Sequence, residues 1–405
     1  MRGVEAALLT WRNLSRSSSW GETLQAVAPD LESRERRLAE SLLFRGLRRR
    51  ALWLFLVSRL SRRGIRELPA ATGDALILGL VGIVEMPLMP PRSLINAFVQ
   101  RLALQGDEAG GRLVNGLLRR CHEEGIEILE KLAASGDLRD QALLLGFPDE
   151  GLSSLRDSWG THEAKRIMKL LSMRPLLSWW NRPATRISAR FWPSPAVEGL
   201  FRSDALLENH VGHGALFQSE TSARLAPFLR DRLPRGGGLF LGEPHEAACL
   251  LSPEGREVPL WNEASPPMAI PAGYDPVPAP LSGRAWVCVE PPSSESGRWL
   301  RLPERKWAFR RSHLAELARK QERLLVAALE CLAPGGIALY RTASLFKEEN
   351  EQIVARALAS RSDAVEWAFD LPRDLARRGR PWGYYVLPET PWAEGTFVAV
   401  LMRRS

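Results

Sequence analysis

The sequence predicts a multidomain protein, an all-α helical bundle followed by an α/β unit built on a parallel sheet. Three observations carry that expectation. Apolar residues recur at helical spacing over the first third of the chain. Short apolar runs alternate with longer helical segments over the last third. The 405 residues suffice for two or three domains. With 45% hydrophobic and 25% charged residues, the composition excludes a disordered, fibrous or collagen-like chain.

From Glu32 to about Arg120 the helical period is read residue by residue. Leu38, Leu42, Leu43 and Leu47 share one helix face, and Leu52, Phe55, Leu56 and Leu60 share the next. Breaks are expected at Arg63-Gly64, Leu68-Pro69, Met86 to Pro91 and Gln105-Gly106, leaving helices of roughly 10–20 residues. In the second half, Ala285 to Val289 reads as a strand that runs into Glu290-Pro291-Pro292-Ser293-Ser294-Glu295. A helix follows with His313, Leu314, Leu317, Gln321, Leu324, Leu325 and Ala328 on one side. The Pro334-Gly335-Gly336 turn, a strand at Ile337 to Arg341, a helix opened by Thr342 to Asn350, and a last strand from Glu394 to Leu401 complete the alternation. Pro244 to Pro280 reads as loop, and no internal repeat is visible.

Charge is concentrated at the front. Residues 1–66 hold 14 arginines and no lysine against 6 acidic residues, a surplus equal to the net +8 of the whole chain. Such density suits contact with a phosphate backbone, against the plainer reading of solvated helix faces. Candidate contacts are Arg48, Arg49 and Arg50, then Arg119 and Arg120, Arg186, and a later cluster of Arg298, Arg301, Arg305, Lys306, Arg310 and Arg311. Trp299 and Trp307 interleave with that cluster and could stack bases, unless Trp307 fills core. The four cysteines are widely spaced, with no CxxC pair or Cys/His ligand cluster, so neither a disulfide framework nor a metal site is expected. His210 and His213 flank Gly212 and read as surface. No apolar run approaches the ~20 residues of a membrane span, and Met1 to Glu22 lacks the apolar core of a secretory signal. A cytoplasmic monomer with no membrane partner is expected.

Several motifs resemble known sequences. The runs RRLAESLLFRGLRRRALWLFLVSRL, DALILGLVGIVEMPLMPPRSLINAFVQRL and GGRLVNGLLRR resemble the NusB-type helical RNA-binding domain, above all in Leu113 to Arg120. Residues 146–188 are similar to the linker of the RsmB-type, or Sun-type, ribosomal RNA cytosine-C5 methyltransferases. There a proline-led helix, a Trp, a Gly and a second helix precede a strand carrying an Arg. Gly214 to Ser222 resembles the family's entry into its catalytic domain. The Arg-rich stretch from Pro303 to Trp307, the helix with Gln321, the Pro-Gly-Gly turn and the Thr342 to Asn350 segment extend the likeness from about residue 32 to residue 405. The resemblance implies a NusB-like bundle at 1–145, a linker subdomain at 146–225, and a Rossmann-like S-adenosylmethionine methyltransferase fold at 226–405. It also implies an RNA partner, ribosomal by family.

The family's reaction adds a cysteine thiolate to carbon 6 of cytosine, making carbon 5 nucleophilic toward the methyl of S-adenosylmethionine. Where the family has Thr-Cys-Ser, this chain has Thr342-Ala343-Ser344. Where it has Asp-Ala-Pro-Cys-Ser-Gly, the chain has Glu290 to Glu295. Ser293 thus stands at the second cysteine and Glu290 at the acid that faces the base. An alanine offers no lone pair, and a serine alcohol is a weak nucleophile without an adjacent base. The family's Gly-Gly-Lys cofactor turn corresponds to Leu241 to Cys249. That stretch lacks the turn and leaves only Gly242, Glu243 and the more distant Asn262 as cofactor-binding candidates. Cys288 and Cys331, like Cys249, read as packed hydrophobes.

The sequence therefore points first to a non-catalytic RNA-binding member of the rRNA methyltransferase family. A second reading is a working S-adenosylmethionine-dependent methyltransferase with a displaced nucleophile such as Cys288. A third is a NusB-like transcription or assembly adaptor. The first predicts no methyl transfer, the second a cysteine at the cleft, and the third RNA binding without steep salt dependence.

Overall fold

The helical period of the first half is realised. In the computed structural model, residues 2–14, 19–61, 65–180, 191–203, 216–217, 219–230, 232–234, 238–242, 260–261, 282–367 and 369–405 are described. Helices α1 (Arg2–Asn13), α2 (Trp20–Val27), α3 (Ser33–Arg48), α4 (Arg50–Leu60) and α5 (Ala70–Glu85) are followed by α6 (Pro91–Leu104), α7 (Glu108–Ala134), α8 (Leu138–Leu144) and α9 (Asp149–Leu171). Local chemistry sets their ends. Asp107 caps α7 by accepting the Gly110 N–H at 2.7 Å, and Asp137 caps α8 by accepting the Arg139 N–H at 2.6 Å. Pro91 opens α6, where a missing N–H costs nothing. Gly160, at φ +75, kinks α9 into the two helices that the sequence suggested on either side of it. Leu42, Leu43, Leu47, Leu52, Leu56, Leu76, Leu78 and Leu118 form the buried faces. Glycine at 79 is required by that packing, because a Cβ there would stand 2.5 Å from Leu118 Cδ1.

The chain divides into two units, Met1–Ser172 with Leu302–Phe309, and Met173–Arg301 with Arg310–Ser405. The second unit begins with β1 (Leu177–Trp180), β2 (Phe191–Pro193), β3 (Leu200–Ser203) and β4 (Leu216–Phe217). These form an antiparallel sheet in the order β2-β3-β1-β4. Next come α10 (Glu220–Arg230), β5 (Gly238–Gly242), β6 (Leu260–Trp261) and β7 (Arg284–Glu290). Residues 302–309 then form α11 (Pro303–Ala308), which belongs to the first unit. The second unit resumes with α12 (Leu314–Cys331), β8 (Leu332–Thr342), α13 (Glu351–Ser360), β9 (Ala364–Glu366), β10 (Arg377–Arg378), β11 (Tyr384–Val386) and β12 (Thr396–Arg403).

The larger sheet runs in the order β10-β11-β12-β8-β7-β5-β6, with β9 also on β12. Strands β6, β5, β7 and β8 are parallel to their neighbours, while β12, β11 and β10 add an antiparallel side. Helix α12 is the crossover that lets β7 and β8 run parallel. Its core face carries Leu314, Gln321, Leu325 and Ala328 as the sequence period predicted, with Leu317 and Leu324 half-buried, whereas His313, expected on the same side, is exposed ahead of the helix. The Pro-Gly-Gly turn lies inside β8, where Gly335 takes φ +78. Phe240, Trp286, Cys288, Ile337, Leu339, Val398 and Val400 fill the core beside Leu225 and Leu229 of α10.

Candidate functional site

Open α/β sheets bind ligands outside the carboxyl ends of their parallel strands. Here that edge is made by Gly242 at the end of β5, Glu290 at the end of β7, in register with Gly242, and Thr342-Ala343 at the end of β8. Ala343 is buried, and its carbonyl accepts the Gly297 N–H at 2.8 Å. Its methyl offers no electron pair, so the position carries no nucleophile. Ser293 is half-buried, and its hydroxyl accepts the Glu295 N–H at 3.3 Å, fixing the loop after β7.

Two buried networks organise this edge. In one, the Glu349 carboxylate accepts Ser294 N–H at 2.8 Å, Ser294 Oγ at 2.5 Å, Ser344 Oγ at 2.5 Å and Gln321 Nε2 at 2.9 Å. Burial pushes the Glu349 carboxyl up, against the lowering effect of the Ser294, Ser344 and Gln321 hydrogen bonds. Among the described residues no imidazole or amine joins the network, and its hydroxyls act as donors that hold loop to sheet. In the other, Arg341 of β8 donates from Nη1 to Glu290 Oε1 at 2.9 Å and from Nη2 to Ser222 Oγ at 2.5 Å. Arg341 is 2% exposed and Glu290 8%, so the pair is closed off from water. Glu290 reaches the cleft edge as expected, but its Oε1 is taken by a guanidinium of the same chain. The position expected to hold the base-facing acid thus forms an ion pair within the chain.

No thiol among the described residues stands in for the absent nucleophile. Cys288 is fully buried between β5 and β8, and burial with the nearby Glu290 pushes its thiol up. Burial likewise pushes Cys331 up to about 11 and Cys121 up to about 12. Cys288, the residue named for a displaced nucleophile, is thus a core thiol without exposed surface. The cofactor candidates Glu243 and Asn262, like Cys249, lie outside the described residues. Of the cofactor candidates only Gly242 is described, at the end of β5. Gly242 contributes backbone alone, and the carboxylate beside it, Glu290, is spent on Arg341. No group of three metal-ligating side chains occurs among the described residues.

Comparison with known proteins finds matches toward both ends of the chain. Residues 285–402 match the family model for 16S rRNA methyltransferase RsmB/F, and residues 4–123 match that of the NusB family. The chain is thus similar to the RsmB/F methyltransferases in its last third and to the NusB family in its first. The ribosomal RNA small subunit methyltransferase B of Xanthomonas campestris pv. campestris is 25% identical over 448 residues, covering 100% of this chain and 98% of the relative. Its counterpart from Xylella fastidiosa strain Temecula1 is 25% identical over 426 residues, covering 94% of this chain and 93% of the relative. The crystal structure of the protein PH0851 superposes with a TM-score of 0.73 at 15% identity, over 99% of this chain and 98% of that one, a likeness of fold.

The basic residues expected at RNA divide sharply. Arg48 and Arg49, with Arg45, converge on the buried carboxylate of Glu85 at 3.2, 3.0 and 3.3 Å. Arg49 also donates to the Leu144 carbonyl at 2.7 Å. Arg50 lies over the rings of Trp11 and Trp307. Lys306, expected to face phosphate, is instead 1% exposed. Its Nζ donates to the Arg48 carbonyl at 2.7 Å and lies 4.3 Å from the Phe147 ring. Trp307 donates to the Leu47 carbonyl at 2.5 Å. These contacts make 302–309 a structural clasp, because two side-chain donors satisfy carbonyls that the C-terminus of α3 would leave open. Arg298 and Arg301 are also withdrawn, since both bond Glu394, at 3.1 and 2.5 Å. Trp299 is fully buried against Phe346 and stacks no base. Arg305 is half-buried, whereas Arg119 and Arg120 are exposed, Arg120 reaching the Leu60 carbonyl and Glu124. Arg186 lies outside the described residues. Sequence reasoning missed Glu85, Arg341, Glu349 and Glu394. The one local signal was a charge, Arg341, inside an otherwise apolar strand.

Proposed function

We propose that this protein is an RNA-binding member of the RsmB/F family that does not transfer a methyl group, working in the cytoplasm as a monomer on or with ribosomal RNA. The observation that carries the reading is the cleft edge itself. Alanine stands at the nucleophile position, serine at the second cysteine, and Arg341 is bonded to the acid. The second-unit fold is retained around these losses, which fits a scaffold kept for recognition. The division into a helical module at 1–145, a linker at 146–225 and a methyltransferase-like part at 226–405 belongs to the same proposal, with Arg119 and Arg120 as exposed phosphate partners.

The test is incubation of purified protein with ribosomal RNA and S-adenosylmethionine carrying a labelled methyl, beside RNA binding across a salt series. The expected result is no label in RNA and a steep loss of affinity with salt. Label transferred to RNA would refute the reading. Binding insensitive to salt would favour an adaptor that recognises protein.

A further inference from the structure

Part of the cationic surface that the first 66 residues promise is taken up within the fold, while Arg34, Arg37 and Arg59 stay exposed. Arg12 pairs with Asp74, and Arg45, Arg48 and Arg49 share Glu85. Exposed positive charge also appears on the outer side of α12 in the second unit. Arg319 and Arg323 are both exposed, one helical turn apart on the same face. They line a groove of 630 Å³ together with Lys320, Glu322, Val326 and Ser360 of α13. The carboxylates nearby have other partners. Glu316 bonds Lys320 at 3.1 Å, and Glu322 bonds Arg356 of α13 at 2.5 Å. Among the described residues neither Arg319 nor Arg323 is held in an ion pair, although Glu316 lies near enough to Arg319 to feel its charge, and the lining, with Arg319, Lys320 and Arg323 against Glu316 and Glu322, keeps one net positive charge.

We propose that the groove between α12 and α13 is a phosphate-binding track for single-stranded RNA, gripped by Arg319 and Arg323. Charge complementarity names the occupant. Two guanidiniums about 6 Å apart along a helix can each take a backbone phosphate through paired N–H donors. The concave wall, with Val326 beneath the charges, gives a strand a channel to follow. The inference rests on the RNA-binding reading and locates it on the outer side of α12.

The experiment uses the full-length protein and a fluorescein-labelled oligouridylate, with anisotropy read between about 50 and 200 mM salt. Replacing both arginines, Arg319→Gln with Arg323→Gln, should weaken binding on the order of tenfold near 0.1 M salt. It should also flatten the log–log salt slope by about 1.4, at ~0.7 for each single-strand phosphate that is no longer neutralised. Arg319→Lys with Arg323→Lys should keep most of the affinity. Both positions are exposed, so the thermal transition should not move. Wild-type binding with the same affinity and slope in the Gln variant would overturn the groove and leave the RNA-binding reading standing. Absence of salt-dependent binding by the wild type would overturn both. Unchanged RNA affinity with loss of polyglutamate binding would assign the face to an acidic protein and overturn the proposal.

Discussion

At the scale of single residues, the loop after β7 holds a backbone conformation its residue does not favour. Glu295 sits at φ +51, in the left-handed region that disfavours side chains by roughly 1–2 kcal/mol. Its carboxylate lies 3.4 Å from Arg298. Glu295→Gly and Glu295→Ala both remove that ion pair, so comparing them isolates the backbone. Glycine should be the more stable of the two by about 1 kcal/mol in urea unfolding, and equal stability would show that the loop relaxes without cost. The Arg341–Glu290 pair supports a larger prediction. Arg341→Met takes the nearer guanidinium from a buried carboxylate, Arg298 standing farther off at 3.9 Å, and should cost about 3 kcal/mol or more. Adding Glu290→Gln should recover a large part of the loss, because the unpaired charge goes with it. Neither role was legible in the sequence beyond a mismatch. Arg341 is separated from Ser222 by 119 positions, and no periodicity announces a partner that distant.

At the scale of elements, α11 shows how a short helix gains weight by docking. Six residues are too few to be stable alone, yet Lys306 and Trp307 donate to the last carbonyls of α3. The Lys306 amine is held well below its ordinary value, first by burial and then by Arg48 and Arg49. The sign of the pH effect follows. An unfolded lysine titrates near 10.4, so between the lowered folded value and about 10.4 the unfolded chain binds more protons. The contribution of Lys306 to stability therefore rises with pH across that window and is lost as pH falls through the folded value. Wild type should gain stability relative to Lys306→Met as pH climbs from about 8 to about 10. Parallel pH profiles for the two proteins would remove the assigned cause. Elements as such were well foreshadowed. Strands β7 and β12 and helix α12 fall where apolar period and turn residues placed them, and the kink at Gly160 where the resemblance to the family's linker implied a glycine between two helices. The break between α3 and α4 at Arg49 was not anticipated, since the apolar period runs through it and no proline or glycine marks it.

At the scale of the whole molecule, the sequence disclosed the order of architectures, since burial on one helix face or one strand is written locally. It did not disclose that residues 302–309 leave the second unit to complete the first, a return across 258 positions for Lys306 and Arg48. That interleaving has a thermodynamic consequence. Arg301 and Arg310 belong to the second unit while the residues between them belong to the first. Opening either unit therefore loads a stretch of chain on which the other depends. Three buried thiols report on this, Cys121 in the first unit and Cys288 and Cys331 in the second. Native protein should react with at most one equivalent of a thiol reagent, at Cys249, because the other three are shielded. Along a urea titration Cys121 should become reactive together with Cys288 and Cys331, in one cooperative step. Lys306→Met with Trp307→Phe removes both donors to α3 and should split that step, exposing Cys121 at lower urea than the other two. Three thiols that respond separately in the wild type would mean that the clasp does not tie the stability of one unit to the other.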